Sequence, residues 1–152
     1  MIEKKQLKVS ALKNGTVIDH IPPNSLFKVI SILGLDQITS QMTFGTNLES
    51  SKLGTKAIIK ISEKFFEEDD INRIALVAPK AKLNIIKSYQ VVEKKDIVLP
   101  SNIIGIAKCF NPNCITNHDA VTTRFFVISQ NPVKLRCHYC EKITDQDHLE
   151  IL

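Results

Sequence analysis

All four cysteines of this 152-residue chain fall between positions 109 and 140. They form two close pairs, Cys109-x4-Cys114 and Cys137-x2-Cys140, with 22 residues between the pairs. A tetrahedral zinc ion with four thiolate ligands needs this arrangement, because each pair can sit on one tight turn with both sulfurs facing the same way. The intervening stretch has room for a hairpin that brings the turns together. Thr122–Ser129 reads as a strand, Val133–Cys137 as its return, and Gln130–Pro132 as the turn between them. Two disulfides or four unrelated thiols are the alternative. The compartment argues against them. The opening MIEKKQLK is too charged for a signal peptide, and no apolar run approaches the roughly 18–20 residues of a membrane span. The expected location is therefore cytoplasmic, where thiols stay reduced. Four thiolates leave no open coordination position, so the expected cofactor is one structural Zn(2+) per chain. His138, between two ligands, reads as a surface residue of its turn, and His118 and His148 have no evident partner. Residues 101–152 are too few to bury an adequate core unaided. Metal binding in small zinc domains contributes about 10–16 kcal/mol of apparent free energy, so the metal stands in for a core.

The cysteine-free part has its own order of elements. Gln6–Leu12 alternates apolar and polar, with Leu7, Val9 and Ala11 on one face, and Asn14-Gly15 is a hairpin signal before a second strand segment, Thr16–Ile21. Pro22–Gly34 switches to helical period, with Leu26, Phe27, Ile30 and Leu33 on one side and Gly34 as a stop. Ser40–Leu48 and Gly54–Ser62 read as strands joined by a Ser-containing turn. Glu67–Pro79 begins with acids suited to a helix N-terminus and ends at proline. Lys82–Lys94 reads as a closing strand, and Lys94–Asn102 as a linker. Taking the first hairpin as one split edge element gives β-α-β-β-α-β, the ferredoxin-like arrangement. The expected class is thus α+β: a ferredoxin-like antiparallel sheet with two helices, followed by a small all-β zinc-ribbon (rubredoxin-like) domain. The expected boundaries are residues 1–98 and 99–152.

Charge adds a constraint. The formal net charge is +4, but residues 1–100 carry 15 Lys or Arg against 11 acids and residues 101–152 carry 5 against 5. There is no basic run of the kind that marks a nucleic-acid tail. A zinc-ribbon nucleic-acid-binding factor is the rival reading; the even charge of residues 101–152 and the lack of interleaved aromatic and basic residues argue against it. On the strand Gly54–Ser62, alternation puts Ala57, Ile59 and Ile61 toward the core and Lys56, Ile58 and Lys60 outward. The two lysines stand about 13 Å apart, enough to contact separate parts of a polyanion. Asp19 and His20 are adjacent on a strand and so should face opposite ways. No serine elbow, Gly-rich phosphate loop or HExxH motif is present, so no catalytic constellation emerges.

At four segments the chain resembles the regulatory subunit family of aspartate carbamoyltransferase: Asn14–Pro22, Thr55–Ile61, Leu76–Lys94, and the pair Cys109–Ile115 with Cys137–Glu141. Their order and spacing agree with that family over nearly the whole length. The resemblance implies a non-catalytic chain of pyrimidine biosynthesis, with an N-terminal nucleotide-binding allosteric domain and a C-terminal zinc domain docking on the catalytic chain. Regulatory dimers in the family bridge catalytic trimers, and CTP, ATP and UTP are the effectors; neither nucleic acid nor membrane is an implied partner. The implied nucleotide site comprises Val9, Ala11, Leu12 and Val17 flanking base and ribose. Asp19, Lys60 and Lys94 fall at ribose and triphosphate, with His20 and Lys56 near the phosphates. Ile86, Tyr89 and Val91 fall on the base side, and Asn84 matches too. Asn111, Asn113 and Glu141 match contacts to the catalytic chain. Ser10 and Lys52 stand where acids occur in better-known members, and Lys4 and Lys5 make the N-terminus more basic.

Overall fold

The computed structural model describes residues 11–152, which divide into two compact units, one ending at Ile97 and the other spanning Val98–Leu152. In the first unit the elements are β1 (Gly15–Ile21), α1 (Leu26–Ile32), β2 (Met42–Ser50), β3 (Gly54–Ser62), α2 (Glu68–Val77), β4 (Lys82–Lys87) and β5 (Gln90–Asp96). The strands form one antiparallel sheet in the order β2-β3-β1-β4-β5. The first four strands and two helices reproduce the expected β-α-β-β-α-β connectivity, and β5 adds an edge. Alternation sets one buried face. Ile18, paired across to Ile59 and Leu83, is fully buried with Ile59, while Leu83 is nearly so. Leu26, Val29 and Ile30 of α1 and Ile74–Val77 of α2 supply the buried helical side chains, and the two helices contact each other.

Three details differ from the sequence expectation. First, β1 is hydrogen-bonded to β3 on one side and β4 on the other, so it is a central strand and not part of a split edge element. Of the proposed preceding strand, Leu7 and Val9 lie outside the described residues, and Ala11 and Leu12 are not in a strand. Gly15 serves packing: its φ is +148°, and a Cβ there would stand 2.1 Å from the Ile61 carbonyl oxygen. Second, Lys82–Lys94 is not one strand but the hairpin β4–β5. Ser88 and Tyr89 form its two-residue turn, with φ of 51° and 64° as a type I′ turn requires. Third, Phe27 is 68% exposed and packs edge-on against the Phe44 ring, while Leu33 is half-buried. The buried stripe is Leu26, Val29 and Ile30, because Pro23–Ser25 form a separate 3-10 turn and the α-helix begins only at Leu26.

The second unit is all-β. A four-stranded antiparallel sheet runs β10 (Ile143–Asp145), β9 (Val133–Cys137), β8 (Arg124–Gln130), β6 (Asn102–Ile104), and β7 (Ala107–Lys108) pairs with β11 (Glu150–Ile151). Phe125, Leu135, Val133, Ile103 and Ile106 form its small buried core. The β8–β9 turn is Asn131-Pro132, since Gln130 still pairs with Val133. The expected linker is shorter than Lys94–Asn102. Lys94–Asp96 belong to β5, Asn102 opens β6, and Ile97 and Leu99 are buried.

Candidate functional site

The cysteine turns are built by backbone hydrogen bonds. Strand β7 delivers Cys109, and the next turn closes when the Cys114 N–H donates to the Asn111 carbonyl at 3.0 Å. Asn117 locks it: its side-chain amide donates to the carbonyls of Cys109 (3.0 Å) and Asn111 (2.7 Å). Strand β9 delivers Cys137. There the Glu141 N–H donates to the Cys137 carbonyl, and the Cys137 N–H to that of Lys142, both at 3.0 Å. Glu141 takes φ +63°, which reverses the chain. The four sulfurs consequently all lie within 4.8 Å of one another. The Cys109–Cys140 and Cys114–Cys137 sulfur distances are both 3.7 Å. A disulfide would bring them to about 2.05 Å. A tetrahedral ion with metal–sulfur bonds of about 2.3 Å separates its ligands by about 3.8 Å. The set therefore fits a metal ion.

Electrostatics agree with that fit. Burial pushes the Cys109 thiol well up, and burial likewise raises Cys137 against the pull of the Cys140 and Tyr139 backbone amides. Burial also raises Cys114. There the Thr116 hydroxyl (3.2 Å from the sulfur), the Thr116 amide and the neighbouring thiols outweigh it and set the group at about 7. Four buried or half-buried sulfurs can shed their protons together only beside a compensating cation. Asn111 is half-buried, and Asn113 and Glu141 are exposed, all on these anchored turns. His138 is exposed, with its ring against Phe126 and Tyr139. His148 does have partners: Asp145 Oδ1 lies 2.7 Å from its Nδ1, and the Phe110 ring is 4.6 Å away between centroids.

The first unit carries a different arrangement on the sheet face opposite Ile18. Directly across the strands run Thr43, Lys60, Val17, Asn84 and Lys94, one residue from each of β2, β3, β1, β4 and β5. Cross-strand partners share a face, so Lys60 and Lys94 stand about 14 Å apart on the same surface. On the same face Val17, Ile58 and Ile86 form a small buried apolar cluster, with the half-buried Leu12 and Leu48 packed against it. Val91 is paired to Ile86 and half-exposed. Asp19 accepts from Lys56 Nζ at 2.9 Å and from the His20 N–H at 2.6 Å. Burial lowers the Lys60 ammonium, with Asp19 opposing. Tyr89 is exposed in its turn, and its N–H donates to the Lys13 carbonyl. Ala11 is exposed, and Val9 lies outside the described residues.

Asp19 and His20 do not obey simple alternation. The register of β1 shifts between Ile18 and Ile21, and His20 sits in the left-handed region at φ +59°. This bulge brings His20 Nδ1 to 3.6 Å from the Asp19 carboxylate. Sequence reasoning also missed Ile58, Leu48, Asn117 and Thr116. The one available signal was Ile58, an apolar residue between two outward lysines.

Fold and site together define a two-part binding protein, in which an α+β sheet unit precedes a small β unit built around a four-cysteine metal centre. The family model described as the aspartate carbamoyltransferase regulatory chain, allosteric domain, matches residues 7–98, and that of the same chain's metal binding domain matches residues 101–150. A regulatory chain of Parabacteroides distasonis is 55% identical over 146 residues, covering 95% of both chains. Those of Bacteroides fragilis (53% over 153 residues, all of both chains) and Pyrococcus horikoshii (53% over 146 residues, 95% of this chain and 96% of the relative) are comparably similar. The chain belongs to the aspartate carbamoyltransferase regulatory chain family. It is accordingly a non-catalytic regulatory subunit with an allosteric and a metal-binding domain, and a catalytic subunit is its implied partner.

Proposed function

We infer that residues 1–98 bind CTP, ATP and UTP on the sheet face opposite Ile18 and that residues 99–152, around one zinc ion, dock on catalytic trimers. The observation that carries this reading is the cross-strand row Lys60–Val17–Asn84–Lys94 with the Asp19–Lys56 pair beside it. An apolar floor between ammonium groups suits a nucleotide. The base lies on Val17, Ile58 and Ile86, Asp19 accepts from a ribose hydroxyl, and Lys60 and Lys94 donate to phosphate oxygens. The Tyr89 amide is committed to Lys13, so recognition of an exocyclic amine there falls to backbone carbonyls. Val9, Ala11, Leu12, His20, Lys56, Tyr89 and Val91 complete the proposed contacts. In the second unit, Asn111, Asn113 and Glu141 form the proposed contact with the catalytic chain. Their turns are held by metal ligands, which lowers the ordering cost of binding. The working assembly is a regulatory dimer bridging trimers in the cytoplasm. No helix among the described residues is long and apolar enough to cross a membrane.

Calorimetric titration with CTP tests the site. Charge-assisted hydrogen bonds contribute about 1.5–3 kcal/mol each, so Lys60→Ala weakens CTP binding about tenfold or more while the fold is kept. An unchanged titration in the folded variant refutes the assignment.

A further inference from the structure

Strand pairing in the second unit assembles a surface that the linear sequence does not show. Asn102, Phe126, Arg136 and Ile143 lie directly across from one another, one each on β6, β8, β9 and β10, and all four are exposed. Residues two apart on a strand, and partners across strands, share a face. Arg124 and Lys134 therefore stand beside this row, on the side away from the buried Ile103, Phe125 and Leu135. Three of the five Lys or Arg in residues 101–152 thus collect on one side of the sheet. Acids do not match them there. Asp145, paired across from Lys134, is the one acid on this face among the described residues. Its Oδ1 accepts from the His148 N–H at 3.1 Å and lies 2.7 Å from His148 Nδ1. The even charge counted along residues 101–152 conceals a basic face.

The same face is aromatic. The Arg136 guanidinium is 5.8 Å from the centroid of the Phe126 ring, and the His138 ring stands edge-on to Phe126 at 5.9 Å. The Tyr139 ring is 5.0 Å beyond His138. The backbone holds this group in place, because the His138 N–H donates to the Arg124 carbonyl at 2.8 Å. Rings fixed among cations match an unpaired nucleic-acid strand, whose bases offer faces for stacking and whose phosphates offer charge. Aromatic side chains on a four-stranded sheet stack two or three bases in this way. A duplex presents phosphates but keeps its base faces inside, and an acidic protein surface uses the cations but not the rings. We propose that this sheet face binds single-stranded nucleic acid, with bases stacked on Phe126 and on the His138–Tyr139 pair and phosphates held by Arg124, Lys134 and Arg136. The site is on a different unit from the nucleotide face and does not rest on that reading.

The test titrates the full chain, with its metal retained, against fluorescein-labelled oligouridylate and oligodeoxyuridylate and reads fluorescence anisotropy at several salt concentrations. The variants are Phe126→Ala and Arg124→Ala/Arg136→Ala, all at exposed positions, with Lys60→Ala/Lys94→Ala in the first unit as the control and circular dichroism confirming each fold. The single strand is expected to bind at least about tenfold more tightly than a duplex of the same length. Phe126→Ala should weaken it at least about fivefold. Arg124→Ala/Arg136→Ala should weaken it at least about tenfold and lower the slope of log affinity against log salt by about 1.4, since each neutralised phosphate of a single strand contributes about 0.7. Lys60→Ala/Lys94→Ala and saturating CTP should each change it less than about twofold. Oligodeoxyuridylate binding weaker by about tenfold or more narrows the ligand to RNA, because the two strands differ only in the 2′-hydroxyl; parity supports both. A duplex that binds as tightly as the single strand, displacement by CTP, or undiminished binding in either variant overturns the proposal. If Phe126→Ala keeps oligonucleotide binding but fails to assemble with catalytic trimers, the face is a protein contact instead.

Discussion

His20 combines a left-handed backbone, a buried nitrogen and a carboxylate neighbour, and each leaves a measurable trace. Burial is the largest influence on its ring and lowers its pKa; Asp19 raises it, and Lys56, Lys52 and Lys82 lower it further. The folded value therefore lies below the unfolded value of about 6.5. A histidine depressed in this way favours the neutral form in the folded state. Its contribution to stability is complete above about pH 6.5 and is lost as pH falls toward the folded value. An NMR titration should give a His20 midpoint below that of a random-coil histidine; a midpoint at or above it contradicts the burial account. The residue also shows where sequence reading stops. Alternation separates Asp19 from His20, and only a one-residue bulge brings them together. Bulges have no reliable signal in a single sequence, because the His20 backbone conformation is imposed by the neighbouring strands and not by its side chain.

Helix α2 shows local chemistry that is fully legible. Acids crowd its first turn, and Glu67 at the N-cap exchanges hydrogen bonds with Asp70, each side chain accepting from the other's backbone N–H. Asp70→Ala removes one half of that box and the Asp70–Arg73 ion pair at 3.6 Å. The expected loss is about 1 kcal/mol, read as a lower denaturant midpoint at unchanged slope. No shift in midpoint would mean that the cap carries no stability. Strand β3 was legible on one face only: Ala57, Ile59 and Ile61 follow the two-residue period and are fully buried, but Ile58, read as outward, is buried on the other face. The β4–β5 hairpin was not. Its turn residues, Ser88 and Tyr89, are not ones that favour positive φ, and the fold holds them there through Ser88 N–H to Asn14 and Tyr89 N–H to Lys13. The apolar patch of Val17, Ile58 and Ile86 was hidden for a related reason, as it joins three strands whose register no local pattern specifies.

For the chain as a whole, the four-cysteine cluster and the proposed nucleotide face belong to different units, which separates their failures. Cys114→Ala leaves three thiols, too few for a closed four-coordinate structural site. It should lose the ion and unfold the second unit while CTP still binds the first. Metal analysis and CTP calorimetry on the same full-length variant check this, and retention of one zinc per chain would contradict the ligand assignment. Regulation requires more than two intact units. An effector shifts an enzyme only by its differential affinity for two states, and typical coupling is about 1–3 kcal/mol, or roughly 5–150-fold in affinity. Linkage makes the effect reciprocal, so a ligand at the catalytic site must change nucleotide affinity here. The deciding measurement is a CTP titration of the chain reconstituted with its catalytic trimers, with and without a bisubstrate analogue bound at the catalytic site. A shift in CTP affinity on adding the analogue, matched by a CTP-dependent shift in aspartate saturation, is the expected result. Assembly without either shift would make this chain a structural bridge and contradict its role as a nucleotide-responsive regulator.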